Sequence, residues 1–500
     1  MSELARVAIL GTGQTAGPIP SSETPADDLV AKLGLDASRD RERELLLRAG
    51  GAFVMRRAGV LAEPWPEAEP IAEAPLEVRR RASATLGDML RSMLLGEFGE
   101  ILWEALAGMD RAGLRLPEEL LPLALDQRGL ETRELLLGVL GERGRFLARE
   151  DGREAWAWAS SGALFDAVPE DADRRWEEGS AIERERLFQL LRRTDPARAR
   201  GWLAATFKSE KPEQRKRFLD ALLPELGAED APFLEAATRD RSQSVRVAAA
   251  RALWRLPESD TARAVRARAE ACLTPSPAGE LHVTLPAEPF DEGLETLGVL
   301  ETPPAGVGPR QFWLAQLLSA LPPERVSEHL GLDAARVVAA AKAHDLAQAL
   351  LEGLTSALFR FGAEAWAAPL WDAWVEREAA RSFLEPELLA RLTERLPRDA
   401  LEARLLACVR DLAHLEVFAA VAAPWPESVT RALLARFAER TPGLAPLVHL
   451  AASRIPLSAL PAELAFPRPP DTPRASIDAA FEHLTLVIDF RRRLQKELSP

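Results

Sequence analysis

Between about Ile182 and Leu253, apolar and polar positions recur with helical spacing in three similar segments. They read ERERLFQLL (Glu183 to Leu191), EQRKRFLDALL (Glu213 to Leu223) and QSVRVAAARAL (Gln243 to Leu253). Aligning Arg186, Arg217 and Arg246 gives a step of roughly 30 residues, within the range of helical solenoid repeats. Between the aligned segments the pattern predicts further helices over Pro196 to Phe207 and Ala231 to Thr238. Pro196, Pro212 and Pro232 fall near predicted helix starts, where a missing N–H is tolerated. Each hairpin is amphipathic and cannot bury its face alone, so stacking on the next one supplies the core.

The third copy, with Asp240 followed by Val245, Arg246, Ala248, Ala249 and Leu253, resembles the second helix of a HEAT repeat. Such a solenoid offers a surface and does not by itself imply chemistry. The three arginines are read first as structural markers of successive repeats.

The same periodicity predicts helices elsewhere. In the N-terminal section, an apolar run from Val7 to Leu10 leads into a Gly/Pro-rich turn ending at Pro20. Thr24, Pro25, Ala26 and Asp27 start a short helix. A longer helix is expected over Asp40 to Gly59, with Leu45, Leu46, Phe53 and Val54 offered to the core. Helices are then predicted over Glu77–Leu95, Glu100–Arg111, Glu118–Leu125 and Glu131–Leu140. At Thr274 to Pro309 the chain becomes rich in Pro and Gly, with one alternating stretch at 281–285 that reads as a short strand. From Arg310 helical periodicity resumes. It closes on a helix over Ser476–Leu498, where Ile477, Phe481, Leu484 and Ile488 share one face. The tetrapeptide PWPE occurs at Pro64–Glu67 and Pro424–Glu427 and is read as a rigid turn in both places. The expected organisation is an N-terminal helical region (1–180), HEAT-like repeats (181–275), a linker (276–309) and a C-terminal helical domain (310–500). The expected fold class is all-α, a helical-hairpin solenoid followed by a second helical lobe.

Composition sharpens this picture. The chain has 500 residues, of which 47% are hydrophobic and 28% charged, so it can bury more than one core. Ala, Leu, Arg and Glu dominate and Tyr is absent, which favours helices over sheets. The formal net charge of −14 repels phosphate backbones at long range and disfavours general nucleic-acid binding. One local exception stands out: Glu183 to Asp220 carries eleven Arg/Lys against six Asp/Glu. Cys272 and Cys408 are the only cysteines, too few and too distant for a disulfide framework or zinc cluster. With no signal-peptide pattern and no uncharged apolar run of membrane-spanning length, a cytoplasmic location is expected and no membrane partner.

Candidate chemistry is thin. Gly11-Thr12-Gly13, with Gly17 beyond, lacks the Lys of a phosphate loop and the helix of a dinucleotide site. His344-Asp345 matches the paired ligands of HD-type metal phosphohydrolases, a chemistry that also needs an upstream His and a downstream Asp. His329 and Asp372 are the available partners. No His-Glu-x-x-His and no Gly-x-Ser-x-Gly is present. Of the 12 Trp residues, Trp366, Trp371 and Trp374 crowd one predicted helix, and Trp156 and Trp158 form a second pair. A ligand cage is conceivable there, but packing between helices is the expected role. The sequence assigns no catalytic, cofactor-binding or metal-ligating residue and no cofactor.

Six segments carry a family resemblance. They are AILGTG (Ala8 to Gly13), LGERGRFLA (Leu140 to Ala148), LRRTDPARAR (Leu191 to Arg200), RDRSQSVRVAAARAL (Arg239 to Leu253), GPRQFWLAQLLSALPPE (Gly308 to Glu324) and FRRRL (Phe490 to Leu494). In their order and spacing they resemble the bacterial domain-of-unknown-function family 5691 over nearly the whole chain. Gln14 and Thr15 depart from the basic residues expected after Gly13, which puts a basic N-terminal loop in doubt. The family is uncharacterised. Its members tend to be encoded beside SWIM-type zinc-finger proteins, MoxR-type AAA ATPases and von Willebrand A-type proteins. The resemblance therefore implies a non-enzymatic scaffold or adaptor, with an AAA ATPase or an A-type protein as partner. The alternative is a HEAT-like enzyme acting on nucleic acid, such as an alkylpurine glycosylase, which needs a basic concave face.

Overall fold

The computed structural model describes residues 3–15, 17–22, 24–34, 39–57, 74–150, 168–275, 281–379, 386–461, 463–464, 466 and 476–499. Among them the fold is all-α, with two small two-stranded sheets. The chain forms two compact units, Met1–Glu73 and Ala74–Pro500.

In the first unit, helices Glu3–Leu10, Ala26–Ala31 and Arg41–Arg57 surround a small core of Leu4, Val7, Ile19 and Leu45. The Asp27 carboxylate receives hydrogen bonds from Ser21 Oγ (2.7 Å) and Ser22 N (2.8 Å) and an ion pair from Arg48 (2.8 Å). Burial pushes its pKa up, but these donors outweigh burial and hold it well below the usual range. The core expectation for the third helix needs correction. Leu45 is buried, but Leu46, Phe53 and Val54 are 72%, 63% and 63% exposed. The inward line runs instead through Leu45 and Ala52, both buried, and the partly buried Ala49 between them. Beside it Gly51 lies so close to the Ala26 helix that a Cβ there would stand 2.6 Å from the Ala26 Cβ. Small residues let these two helices approach, and the larger apolar side chains are left on the other face.

The second unit holds two apolar clusters. One gathers residues between Ala172 and Leu256. The larger joins residues from 82–148 to residues from 254–494. Three helices, Ala181–Thr194, Pro212–Leu222 and Gln243–Leu253, pack in succession through the smaller cluster, the first on the second and the second on the third. Their starts follow the local chemistry: the Ser180 hydroxyl accepts from Glu183 N at 3.2 Å, and Pro212 opens the second helix. Between them, Pro196–Thr206 begins with Pro196 and is capped by Asp195, which accepts from Arg198 N at 3.0 Å.

Burial repeats along these helices with a step of 31 residues. Leu187, Phe218 and Ala249 are buried, as are Phe188, Leu219 and Ala250, then Leu190, Ala221 and Ala252, then Leu191, Leu222 and Leu253. This register corrects the alignment of the arginines. Arg186 and Arg217 correspond, but the matching residue in the third helix is Ala248. Arg246 instead stands in line with Arg184 and Arg215. The alignment misleads because the first two copies each carry two arginines two positions apart, and the third keeps only the earlier one.

Two further boundaries differ from the periodicity reading. The helix expected from Glu77 begins at Ala84, where the Ser83 hydroxyl accepts from Leu86 N at 3.1 Å. Before it, Arg80–Arg81 is extended and pairs in parallel with Leu114–Arg115. In the Pro/Gly-rich segment, Leu281–Val283 pairs antiparallel with Leu273–Pro275, and a short helix follows at Glu292–Thr296. That segment is packed between its neighbours. Leu294 and Val299 are buried, Trp254 Nε1 donates to Leu297 O (2.7 Å), and Trp313 Nε1 donates to Glu301 O (2.8 Å).

The closing helix Ser476–Leu498 buries Ile477, Phe481, Leu484 and Ile488 as its spacing predicts. It lies against Ala445–Arg454 and also touches Ala84–Leu94 and Leu102–Arg111. Phe98 stacks on Phe490 with centroids 4.2 Å apart. Arg491, nearly buried, reaches Glu104 at 2.6 Å and donates to the carbonyls of Ala452 (3.0 Å) and Ile455 (2.8 Å). No helix among the described residues is long and apolar enough to cross a membrane.

Candidate functional site

The 31-residue register decides which side chains share the free face of the three packed helices. Glu185, Arg186, Gln189 and Arg193 come from the first, Lys216, Arg217 and Asp220 from the second, and Ala248, Arg251 and Arg255 from the third. Arg193, Lys216, Arg217 and Arg255 are exposed, and Arg186 and Arg251 are half-buried. The face is therefore rich in arginine, with Glu185 and Asp220 set among the cations. Lys216 pairs with Asp220 at 2.8 Å. Burial raises the Glu185 pKa, against the pull of Arg217 and Arg186.

Behind this face, charged pairs tie the first two helices to the turn before the next stack helix and the third to helix Glu292–Thr296. Arg184 meets Glu210 at 2.5 Å, Arg215 meets Asp240 at 2.7 Å, and Arg246 meets Glu295 at 2.8 Å. Arg215 also donates to Glu210 O (2.6 Å) and Arg246 to Asp240 O (3.2 Å), so each arginine closes the loop at the start of its own helix. The most enclosed pair is Arg192 with Asp230, both 1% exposed. Its guanidinium reaches the two carboxylate oxygens at 2.9 and 2.7 Å, and Gly227 N takes up one of them as well. Arg192 Nη2 also donates to Glu225 O at 2.5 Å, while its Nε, equally buried, has no partner among the described residues. Removing one partner of such a buried pair strands a charge. Periodicity alone could not find these pairs, because Glu210, Asp230, Asp240 and Glu295 lie outside the repeating apolar positions. A 31-residue alignment, set by the apolar positions, would have put Arg184, Arg215 and Arg246 in one column.

The chain matches the family described as "Family of unknown function (DUF5691)" over residues 3–498. It belongs to DUF5691. No curated protein and no solved structure matches.

In this DUF5691 chain the other sequence candidates lie apart from the helix face. Asp372 is held by both ends of the Arg404 guanidinium at 2.7 Å, and His329 Nε2 is 2.8 Å from Leu273 O. His344 Nδ1 accepts from Leu346 N at 3.0 Å and so ends its helix. Each of these side chains is taken up locally. No three His, Cys, Asp or Glu among the described residues are grouped to hold a metal ion. Trp366, Trp371 and Trp374 are buried. Trp371 Nε1 donates to Thr393 Oγ1 (3.3 Å) and Trp374 Nε1 to Thr355 Oγ1 (2.9 Å), so these indoles are core with their polar edges satisfied. Trp156, Trp158 and the first PWPE lie outside the described residues. In the second, Trp425 is buried and its backbone N–H donates to Arg454 O at 2.8 Å, while its indole Nε1 has no hydrogen-bond partner among the described residues. Gly11 turns the chain at positive φ, where Gln14 N donates to Gly11 O. Cys272 and Cys408 are buried free thiols, both pushed up to about 11 by burial, which leaves little thiolate at neutral pH.

One groove escaped the sequence reading. It has a volume of about 1080 Å³ and is lined by Arg80, Trp103, Arg111, Pro424, Leu457 and Gln495, among others. It opens where the end of the closing helix meets Leu102–Arg111. Its lining comes from distant stretches of chain, so no local motif marks it.

Proposed function

We propose that this DUF5691 protein is a non-enzymatic scaffold or adaptor that binds a protein partner through the free face of a HEAT-like helical stack. The observation that carries this reading is the 31-residue register. Three successive helices repeat the same buried positions, and the outward positions of the first two lie in register, while in the third Val247 is buried where Glu185 and Lys216 stand. The charged pairs beneath hold that face in one geometry, which favours recognition over adaptation. Arginine on the face suits an interface, since guanidinium groups bind carboxylates through two parallel bonds and stack on aromatic rings. The partner class follows from the family's neighbourhood: a MoxR-type AAA ATPase or a von Willebrand A-type protein, in a reducing cytoplasm. Tagged protein purified from its native host, with co-purifying proteins identified by mass spectrometry, tests this. Stoichiometric recovery of an ATPase or A-type protein is expected, and recovery of neither would overturn the partner assignment.

A second reading, a HEAT-like enzyme acting on nucleic acid, draws support from the same arginines. Glu185 and Asp220 interrupt them, and the chain's net charge of −14 opposes a polyanion. Duplex DNA binding at physiological salt, lost with Arg217→Glu, would favour this enzyme over the adaptor.

A further inference from the structure

The outward face ends at a cluster of three arginines, two of which lie over one buried indole. Trp254, fully buried, follows helix Gln243–Leu253 at the point where the two apolar clusters of the second unit meet. The Arg360 guanidinium lies 4.8 Å from its ring centroid and that of Arg251 lies 5.6 Å away. Each arginine is tethered by backbone. Arg251 Nε donates to Gly298 O (3.0 Å), Arg360 Nε to Ser319 O (3.1 Å) and Arg255 Nη1 to Leu223 O (2.9 Å). Arg251 Nη2 is further held by Gln316 Oε1 at 2.8 Å.

These bonds fix the guanidinium groups and leave donors unused. Among the described residues, both terminal nitrogens of Arg360 have no hydrogen-bond partner, nor do Arg251 Nη1 and Arg255 Nε and Nη2. None of the three arginines forms an ion pair with a described carboxylate, although acids outnumber bases in this chain 77 to 63. The like charges cost energy. Burial, then Arg251 and Arg255, lower the Arg360 pKa to about 10. Elsewhere in the unit Arg184 and Arg404 are matched by a carboxylate, while Arg310 and Arg454 are taken up by backbone carbonyls alone among the described residues.

We propose that Arg251, Arg255 and Arg360 form a binding site for a phosphate group. Tethered forks with free N–H donors are the arrangement that takes several oxygens of one dianion at once. The site goes beyond the adaptor reading and does not depend on it, since an anion can bind here whether or not a protein partner exists.

The test is calorimetric titration of the full chain with inorganic phosphate, at constant ionic strength with chloride as the reference anion. A parallel titration uses a short phosphoserine peptide. Saturable binding with one site per chain is expected, weakened at least tenfold by Arg255→Gln and by Arg360→Met. The exposed Arg263→Gln should bind as wild type does. Tighter binding of the peptide than of phosphate places the phosphate on a protein, and the reverse places it on a free anion; both uphold the site. No saturable binding of either probe, or wild-type affinity in Arg255→Gln, would overturn it. Arg255 is exposed, so its variant decides the matter even if Arg360→Met fails to fold.

Discussion

The helix stack at 181–253 and the helical body around Ser476–Leu498 both rely on a buried arginine, but at very different chain separations. In the stack, Arg192 reaches Asp230 and Arg215 reaches Asp240, each within the next repeat. In the body, Arg491 near the C-terminus reaches Glu104 near the start of the same unit. The physical chemistry is alike: a guanidinium out of water, with a carboxylate and backbone carbonyls around it. The difference lies in what must fold first. The stack can assemble from neighbouring hairpins, whereas the Arg491 contact waits until a long chain has closed on itself. Local pairs then tune a surface, and the distant pair holds the unit shut.

The largest effect that separates the two is expected at Asp230. Asp230→Ala strands the Arg192 charge, and loss of one partner of a buried pair costs roughly 3–5 kcal/mol. Chemical denaturation read by circular dichroism should show that loss. A change under 1 kcal/mol would mean that water reaches the pair. Next comes Arg491→Met, which removes hydrogen bonds of a charged group, each worth about 1.5–3 kcal/mol. Hydrogen exchange should then speed up in both Leu102–Arg111 and the closing helix, while the stack keeps its protection. Exchange confined to one of the two helices would contradict a closing role. Ala249→Leu adds bulk at a fully buried position between stacked helices, where overpacking costs about 1–3 kcal/mol. A melting curve matching wild type would place Ala249 outside the stack.

The smallest effect concerns pH. Glu118 is held down to about 2 by its own backbone N–H and by Arg115 and Arg81, against burial. Its folded pKa lies below the ordinary 4.5, so its stabilisation is present above that value and is lost as pH falls towards about 2. Glu118 is partly exposed and solvent screens the effect. Glu118→Gln should flatten the decline in melting midpoint slightly between pH 5 and pH 2, and an unchanged profile would remove it as a contributor.

The same contrast explains what the chain's text reveals. Helix Ser476–Leu498 and its buried face were legible because Ile477, Phe481, Leu484 and Ile488 follow helical spacing. The three stack helices were legible for the same reason. Leu46, Phe53 and Val54 misled, because periodicity marks an apolar face without saying whether anything covers it. Arg246 misled because one arginine resembled another, while the buried apolar positions kept the true register. The Trp254 arginine cluster was silent. Arg360 joins it from a distant helix, and its defining property, the lack of a carboxylate, exists only in three dimensions.

The central claim is that the free face of the stack recognises a protein. It is tested most directly by purifying two tagged forms from the native host, wild type and the double variant Arg193→Glu with Arg217→Glu. Both residues are exposed, so the fold should survive, and circular dichroism checks this. The account expects a stoichiometric partner with wild type and its loss with the double variant. The same partner recovered in equal amount with both forms would contradict it.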